Sequence, residues 1–539
     1  YNCSYLTVDD PKAFDEALMI LMCGTGVGYS VERNYVEKLP EVPELTENPT
    51  PSGMVVADSK EGWAKGLRQL ISQLYIGNIP TWDLSKIRPA GSRLKTFGGR
   101  ASGPEPLENL FNFTVQLFKK AQGRRLTTVE CHDLMCAVAA CVVVGGVRRS
   151  AMISLSNMSD DRMRHAKMGN WALENVNRSY ANNSIAYTTK PDMGTYMREW
   201  SALYDSKSGE RGIFNREAAK KKAKEIGRDH DQDFGTNPCG EISLRSRQFC
   251  NLSEAVVRPT DTKAQIKKKV YIAAIIGTFQ SALTDFKYIS KKWKDNSEEE
   301  RLLGVSLTGI YDNVLTYKPD PKWLEELNKV VKDVNTIVST ELGINPSAAL
   351  TTVKPSGTVS QLVDSGSGIH PRYATHYIRR VRADVKDPLA AWMIEQGMPY
   401  EVDVYNNLNY VFSFPIKSDE KAVTRHDITA LEHLDLWLTY RKHWTDHNPS
   451  VTIYVAEDEW MSVGEWVYKN WDDACGIAFL PKEDDGHSYV QAPYEEITEG
   501  EWYALDVAMP HIDFSQYMEY DDNTTASQEM ACSAGLCEI

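Results

Sequence analysis

Short strand-like runs alternate with amphipathic helical stretches along most of this 539-residue chain, and that alternation limits the fold more than any other feature. Strand candidates are the opening residues from Tyr1, then 150–155, 349–353, 410–414, 451–455 and 476–480. Helical patterns separate most of them, as in an α/β fold. A rule of about 150 residues per domain would give roughly three or four domains, but large α/β barrels bury one core over longer stretches.

The helix signals are local. Asp10-Pro11 reads as an N-cap followed by proline at the first helical position, with Phe14, Leu18 and Leu21 as an apolar face and Gly24 as the stop. Residues 39–51 are rich in proline and read as a loop or insertion. Asp58 and Glu61 have capping-box spacing ahead of Leu67, Leu70, Ile71 and Leu74, and Thr127 and Glu130 repeat that spacing. The segment from about Tyr520 is acidic, polar and without periodicity, and is expected to be a mobile tail.

Composition removes some functions. The net charge of −14 argues against nonspecific nucleic-acid binding, yet leaves room for small phosphorylated substrates in a locally positive pocket. No apolar run approaches the roughly 20 residues that cross a bilayer, and no signal peptide is evident, so a cytoplasmic protein without membrane partners is expected. The chain opens on Tyr1, already strand-like, so native sequence is expected upstream. Its ten cysteines suit a reduced core better than a disulfide scaffold, with Cys23, Cys136 and Cys141 in apolar helical stretches.

Three motifs carry chemistry. In Thr236-Asn237-Pro238-Cys239-Gly240-Glu241-Ile242, Pro238 and Gly240 bend the backbone on either side of Cys239, which suggests a cysteine at a loop tip. Asn237 and Glu241 flank it two residues away on each side, so an extended turn would put all three side chains on one face; a buried cysteine in a polar turn is the plainer alternative. Cys250 follows eleven residues later, and zinc binding would need further closely spaced pairs. Cys532 and Cys537, near the end, suit thiol–disulfide exchange on an arm that reaches two partners. Lys354-Pro355-Ser356-Gly357-Thr358-Val359-Ser360 follows a β-rich run with small residues at a helix start, an arrangement that favours phosphate. Gly24-Thr25-Gly26-Val27-Gly28 follows a helix and lacks dinucleotide-fingerprint spacing, so a tight turn close to a ligand or strand is expected instead.

Together these residues resemble the large subunit of ribonucleotide reductases over nearly the whole chain. Besides Asn237–Glu241, the likeness covers Tyr1-Asn2-Cys3-Ser4, Ile87-Arg88-Pro89-Ala90-Gly91-Ser92, Gly145-Gly146-Val147-Arg148-Arg149-Ser150-Ala151, Gly212-Ile213-Phe214-Asn215-Arg216, Gln491-Ala492-Pro493-Tyr494-Glu495 and the terminal cysteines. The resemblance implies a ten-stranded α/β barrel spanning 1–519, with a central finger loop and a redox tail at 520–539. It implies that Cys239 carries a thiyl radical, that Cys3 and Cys250 are the dithiol oxidised on each turnover, that Glu241 is the acid/base group and that Asn237 holds the ribose. Asn2, Ser356, Gly357 and Thr358 would bind substrate. Arg148 and Arg149 would lie in the loop that couples effector to base choice, with Asp10, or alternatively Asp58 and Ser59, at the effector site. Cys532 and Cys537 would relay electrons from thioredoxin or a similar dithiol.

Three radical sources occur in that family. The chain has no Tyr-Tyr dipeptide of the kind that relays a radical from a partner subunit, and Glu241 with the terminal cysteine pair does not match the glycyl-radical type. Residues 31–35, 58–63 and 93–99 look closest to the monomeric, adenosylcobalamin-dependent triphosphate branch, in which an insertion, here expected at 37–82, replaces the partner subunit at the effector site. The resemblance implies ribonucleoside triphosphate substrates, dNTP or ATP effectors, and a monomer rather than a dimer. Diphosphate use by a dimeric relative is the rival enzyme reading; a nucleotide-sensing pseudoenzyme is the non-enzyme one, opposed by the joint presence of Cys3, Cys239, Cys250 and Glu241. No Asp-x-His-x-x-Gly stretch is present, so cobalamin is expected to keep its own base on cobalt, with no metal ligand from the protein.

Overall fold

A computed structural model describes residues 1–47, 53–90, 92, 101–144, 147–148, 150–385, 387–404, 409–482 and 490–518. Ten strands form one sheet. In chain order they are β1 (Cys3–Thr7), β2 (Gly26–Ser30), β3 (Met152–Ser156), β4 (Asn182–Tyr187), β5 (Gly212–Asn215), β6 (Gln248–Val256), β7 (Leu303–Thr308), β8 (Thr351–Thr352), β9 (Thr452–Val455) and β10 (Gly476–Pro481). Strands β1 to β5 are parallel neighbours in sequence order. Strands β6, β7 and β8 are parallel, as are β9 and β10. A parallel bridge from Val353 to Pro449 joins the ends of β8 and β9, so these five strands form the second half. The halves meet along two antiparallel seams, β1 with β6 and β5 with β10. The sheet closes, which leaves it no free edge.

Parallel neighbours require long crossovers, and helices supply them. Helix α1 (Lys12–Met22) links β1 to β2, while α2 (Lys60–Tyr75), α3 (Glu105–Lys120) and α4 (Thr128–Cys141) lie between β2 and β3. Along the strands the residues alternate. Leu303, Val305 and Leu307 of β7 and Val27 and Tyr29 of β2 pack outward in the helix-side cores. Cys3 and Tyr5 of β1, Phe214 of β5 and Cys250 of β6 pack inward with Phe234, Ile242 and Leu244 in a third core. Burying each large side chain contributes about 1.5–3 kcal/mol. A separate four-stranded antiparallel sheet takes in Asn409–Lys417, His376–Asp384 and Tyr494–Glu496, so the strand expected at 410–414 belongs there and not to the barrel.

Between β5 and β6 the chain enters the barrel as a short hairpin, Gly235–Thr236 against Ser243–Leu244. Gly26 and Gly28 make room for it. A Cβ at Gly28 would lie 1.7 Å from the Thr236 carbonyl oxygen, and one at Gly26 would lie 3.0 Å from the Pro238 ring. The glycine-rich run is therefore a strand passing close to another strand, with its turn at Gly24, where φ is +83°.

Two local readings change. The cap of α2 is Ser59, whose hydroxyl accepts the Gly62 N–H at 3.0 Å, so the box does not start at Asp58. Asp58 instead accepts Arg88 Nε–H at 2.6 Å, because a side chain one residue earlier points away from the first turn. Cys23 follows the last turn of α1 and is exposed, whereas Cys136 and Cys141 are buried. The capping box at Thr127 and Glu130 forms as read.

Candidate active site

The hairpin tip, Asn237 to Ile242, is held from both sides. Asn237 donates from Nδ2 to Cys3 Sγ at 3.3 Å and accepts the Ile242 N–H on Oδ1 at 3.0 Å. Gly240, with φ +77°, donates its N–H to the Asn237 carbonyl at 3.0 Å and tightens the bend. From the second half of the barrel, Ser450 donates to the Cys239 carbonyl at 2.6 Å and Asn448 donates Nδ2–H to the Gly240 carbonyl at 3.0 Å. The Glu241 carbonyl accepts from the Asn448 N–H at 3.0 Å and from Thr352 Oγ1 at 3.2 Å.

Cys3 and Cys250 face each other as register partners on the β1–β6 seam. Opposed residues of an antiparallel pair have Cα atoms about 4.5–5.5 Å apart, inside the range of roughly 4.4–6.8 Å that a disulfide requires. Both thiols are free and fully buried. Burial pushes both far above the ordinary thiol range, and the Glu241 carboxylate adds to the effect, so they are protonated at neutral pH. Cys239 is half-buried, and its pKa is raised by burial and then by Glu241. Glu241 is 1% exposed, and its Oε2 has no hydrogen-bond partner among the described residues. Burial raises its pKa from 4.5 to about 7, opposed by the Asn237 hydrogen bond and the Lys354 charge.

A cavity of about 420 Å³ opens beside the tip. Its lining includes Pro238, Cys239 and Gly240 of the tip, Gly357 and Thr358, and Tyr373, Tyr377, Tyr494, Arg379 and Arg425. Arg425 lies 3.8 Å from the Tyr373 ring centroid and Arg379 lies 4.4 Å from that of Tyr494. Cys3, Cys250, Asn237, Glu241 and Ser356 do not line this cavity.

The remaining sequence candidates sit as follows. Ser356 donates to Glu254 Oε1 at 2.7 Å and the Gly357 N–H donates to Ser367 Oγ at 3.0 Å, so the Gly357 donor is not free as read from the sequence. Asn2 Oδ1 accepts the Leu252 N–H at 2.9 Å. Asp10 accepts the Lys12 N–H at 2.8 Å and opens α1. Helix α1 packs beside α2, where Arg68 meets Asp15 at 2.6 Å. Arg148 lies in a two-residue strand; Arg149, Cys532 and Cys537 fall outside the described residues. The sequence reading missed Asn448, Ser450 and Thr352. The polar run Thr445-Asp446-His447-Asn448 ahead of a strand was the available signal, because buried polar residues in such a run need partners.

Residues 44–117 match the family described as "B12-dependent ribonucleotide reductase, insertion domain", which shares 44–82 with the stretch expected at 37–82. An adenosylcobalamin-dependent ribonucleoside-triphosphate reductase of Lacticaseibacillus paracasei is 30% identical, with 92% of this chain and 75% of that protein covered. Proteins of the same name from Lactobacillus acidophilus and Euglena gracilis are 28% and 27% identical, with 96% of this chain covered in each case and 79% and 70% of theirs. A crystal structure of a B12-dependent (class II) ribonucleotide reductase superposes with TM-score 0.78 at 24% identity, over 95% of this chain and 82% of that one, and shows the same fold. This chain belongs to the adenosylcobalamin-dependent ribonucleoside-triphosphate reductase family.

Proposed function

We propose that the chain reduces ribonucleoside triphosphates to 2′-deoxyribonucleoside triphosphates, with Cys239 as the thiyl residue and adenosylcobalamin as cofactor. The observation that carries this reading is the finger hairpin, which holds Cys239 at the cavity and, through Asn237, touches Cys3 of the buried cysteine seam. When bound, adenosylcobalamin supplies the radical chemistry that removes hydrogen from the Cys239 thiol. Cys239 then takes the 3′-hydrogen of the ribose, and Glu241 accepts the 3′-hydroxyl proton. With a radical at C3′, the 2′-hydroxyl leaves as water. Cys3 and Cys250 provide two electrons and two protons and become a disulfide, Glu241 returns its proton to the 3′-oxygen, and Cys239 returns its hydrogen to C3′. One ribonucleotide and two thiols give one deoxyribonucleotide, one disulfide and one water. Asn237 and Asn2 orient the ribose end, while Ser356, Gly357 and Thr358 take the phosphates once Ser356 and Gly357 exchange their present partners.

Several residues of the cavity suit the cofactor chemically. Tyrosine faces suit a broad ring, and Arg379 and Arg425 suit its phosphodiester once Arg425 exchanges its ion pair with Glu496, now at 3.0 Å. His370, which also lines the cavity, donates Nδ1–H to the Ser367 carbonyl and accepts the Thr452 N–H on Nε2, both at 2.9 Å, which leaves no ring nitrogen for a metal. His433 donates to the Ile369 carbonyl at 2.9 Å, and burial lowers its pKa to about 3. Cobalamin is expected to bind with its own base on cobalt, and an absorption or magnetic-resonance spectrum of histidine-bound cobalt would contradict this.

The domain reading is a catalytic barrel over 1–519 with its effector insertion, and a redox tail over 520–539. Effector dNTPs or ATP would act at the α1–α2 side through Asp10, Asp58 or Ser59, with Arg148 and Arg149 in the coupling loop; the insertion would let the protein act as a monomer. Because the cysteine seam is fully buried, a protein reductant needs a relay. The pre-reduced Cys532→Ser/Cys537→Ser variant should form about one deoxynucleotide and one Cys3–Cys250 disulfide per chain, then stall with thioredoxin. Dithiothreitol should partly restore turnover. Sustained turnover with thioredoxin, or no disulfide by mass spectrometry, would overturn the relay or the seam, respectively.

A further inference from the structure

Each leg of the finger hairpin is tied by a buried arginine from the segment between β5 and the hairpin, and each arginine is gripped by a carboxylate from a different half of the barrel. Phe234 precedes the rising leg, and its carbonyl accepts Arg216 Nε–H at 2.8 Å. The same guanidinium grips Glu32, just after β2, at 2.6 and 3.1 Å. On the returning leg, the Ser243 carbonyl accepts from Arg228 at 2.8 Å. Arg228 also grips both oxygens of Glu300, which precedes β7, at 2.8 Å each. The Arg228 guanidinium lies 4.7 Å from the Phe234 ring centroid, so Phe234 is held through its carbonyl by one arginine and through its ring by the other. None of these four charged side chains is more than 7% exposed.

Buried ion pairs are weak grounds for stability, because the cost of desolvation offsets the attraction. A bidentate guanidinium does give direction, fixing a plane and leaving a third donor aimed at one point. Here both third donors aim at hairpin carbonyls. We propose that Arg216 and Arg228 are positioning residues that set the depth of the finger and hence the place of the Cys239 thiol in the cavity. The proposal rests on the reading of Cys239 as the thiyl residue. Each carboxylate belongs to a different half, so any shift of one half against the other would be transmitted to the tip.

Arg216→Lys and Arg228→Lys keep the charge and remove the fork. Either should lower kcat about a hundredfold, the scale of a 1 Å misplacement, while KM and the equilibrium Kd for CTP stay within about twofold. A second readout needs no turnover. The rate at which iodoacetamide alkylates Cys239, followed by peptide mass spectrometry, should change at least about tenfold, with exposed Cys23 as an unchanged internal reference. If Cys239 proves not to be the thiyl residue, as active Cys239→Ser protein would show, the alkylation rates still decide whether the arginines place it. Should a lysine variant fail to fold, Phe234→Leu removes only the ring beneath Arg228 and is expected to give the same signature more weakly. Wild-type kcat with wild-type Cys239 alkylation in the folded variants would overturn the proposal. So would a fall in kcat that tracks loss of Tm with no change at Cys239.

Discussion

Cys239→Ser is expected to bring deoxynucleotide formation down to background, more than about a thousandfold below wild type, with CTP binding within about twofold. Serine keeps the size and polarity of the side chain, and the tip's restraints run through backbone groups and Asn237 rather than through Sγ. The finger should therefore keep its shape. An oxygen-centred radical is much harder to make than a sulfur-centred one, so chemistry is lost and binding is not. Equilibrium dialysis alongside product chromatography separates the two. Substantial product from the serine variant would remove Cys239 from the mechanism.

Glu241→Gln is expected to slow turnover by roughly 10²–10⁴-fold, the usual contribution of a general base. The pH profile makes the test sharper. A base must be ionised to act, and burial holds this carboxyl protonated up to about pH 7, so wild-type kcat/KM should rise as pH passes through about 7 rather than 4.5. The glutamine variant should lack that limb. The stability sign follows from the same shift. A carboxyl that binds its proton more tightly folded than unfolded contributes stability present below about pH 4.5 and lost as pH rises through about 7. The thermal midpoint of the glutamine variant should therefore gain on that of the wild type between pH 5 and pH 8. An unchanged pH–rate limb in the variant would assign the proton transfer to another group.

The barrel was legible in part: β1, β3, β8, β9 and β10 overlap the strand candidates, and the other five strands do not. The runs ending β9 and β10 alternate visibly, and their positions match the sequence reading to within a residue or so. Strands β2, β4, β5, β6 and β7 were not among the strand candidates. Gly26 and Gly28 are glycines because the finger passes against them, and Asn182, Asn183 and Ser184 are polar because they line the cavity. Both break the pattern by which a strand is recognised. The loop-tip geometry around Cys239 was readable from Pro238 and Gly240. The pairing of Cys3 and Cys250 was readable only through the family resemblance, since the two lie far apart in sequence and the antiparallel seam brings them together. The clamps on the tip, Asn448 and Ser450, were equally remote in sequence. The phosphate segment was legible as a composition of small residues, but its partners Glu254 and Ser367 were not.

Incubating the purified protein with adenosylcobalamin and a dithiol, with CTP and CDP in parallel, tests the central claim most directly. Analysis of the nucleotides formed should find dCTP from CTP, little dCDP from CDP, and neither product when adenosylcobalamin is left out. Product without the cofactor, or dCDP as the main product, would contradict it.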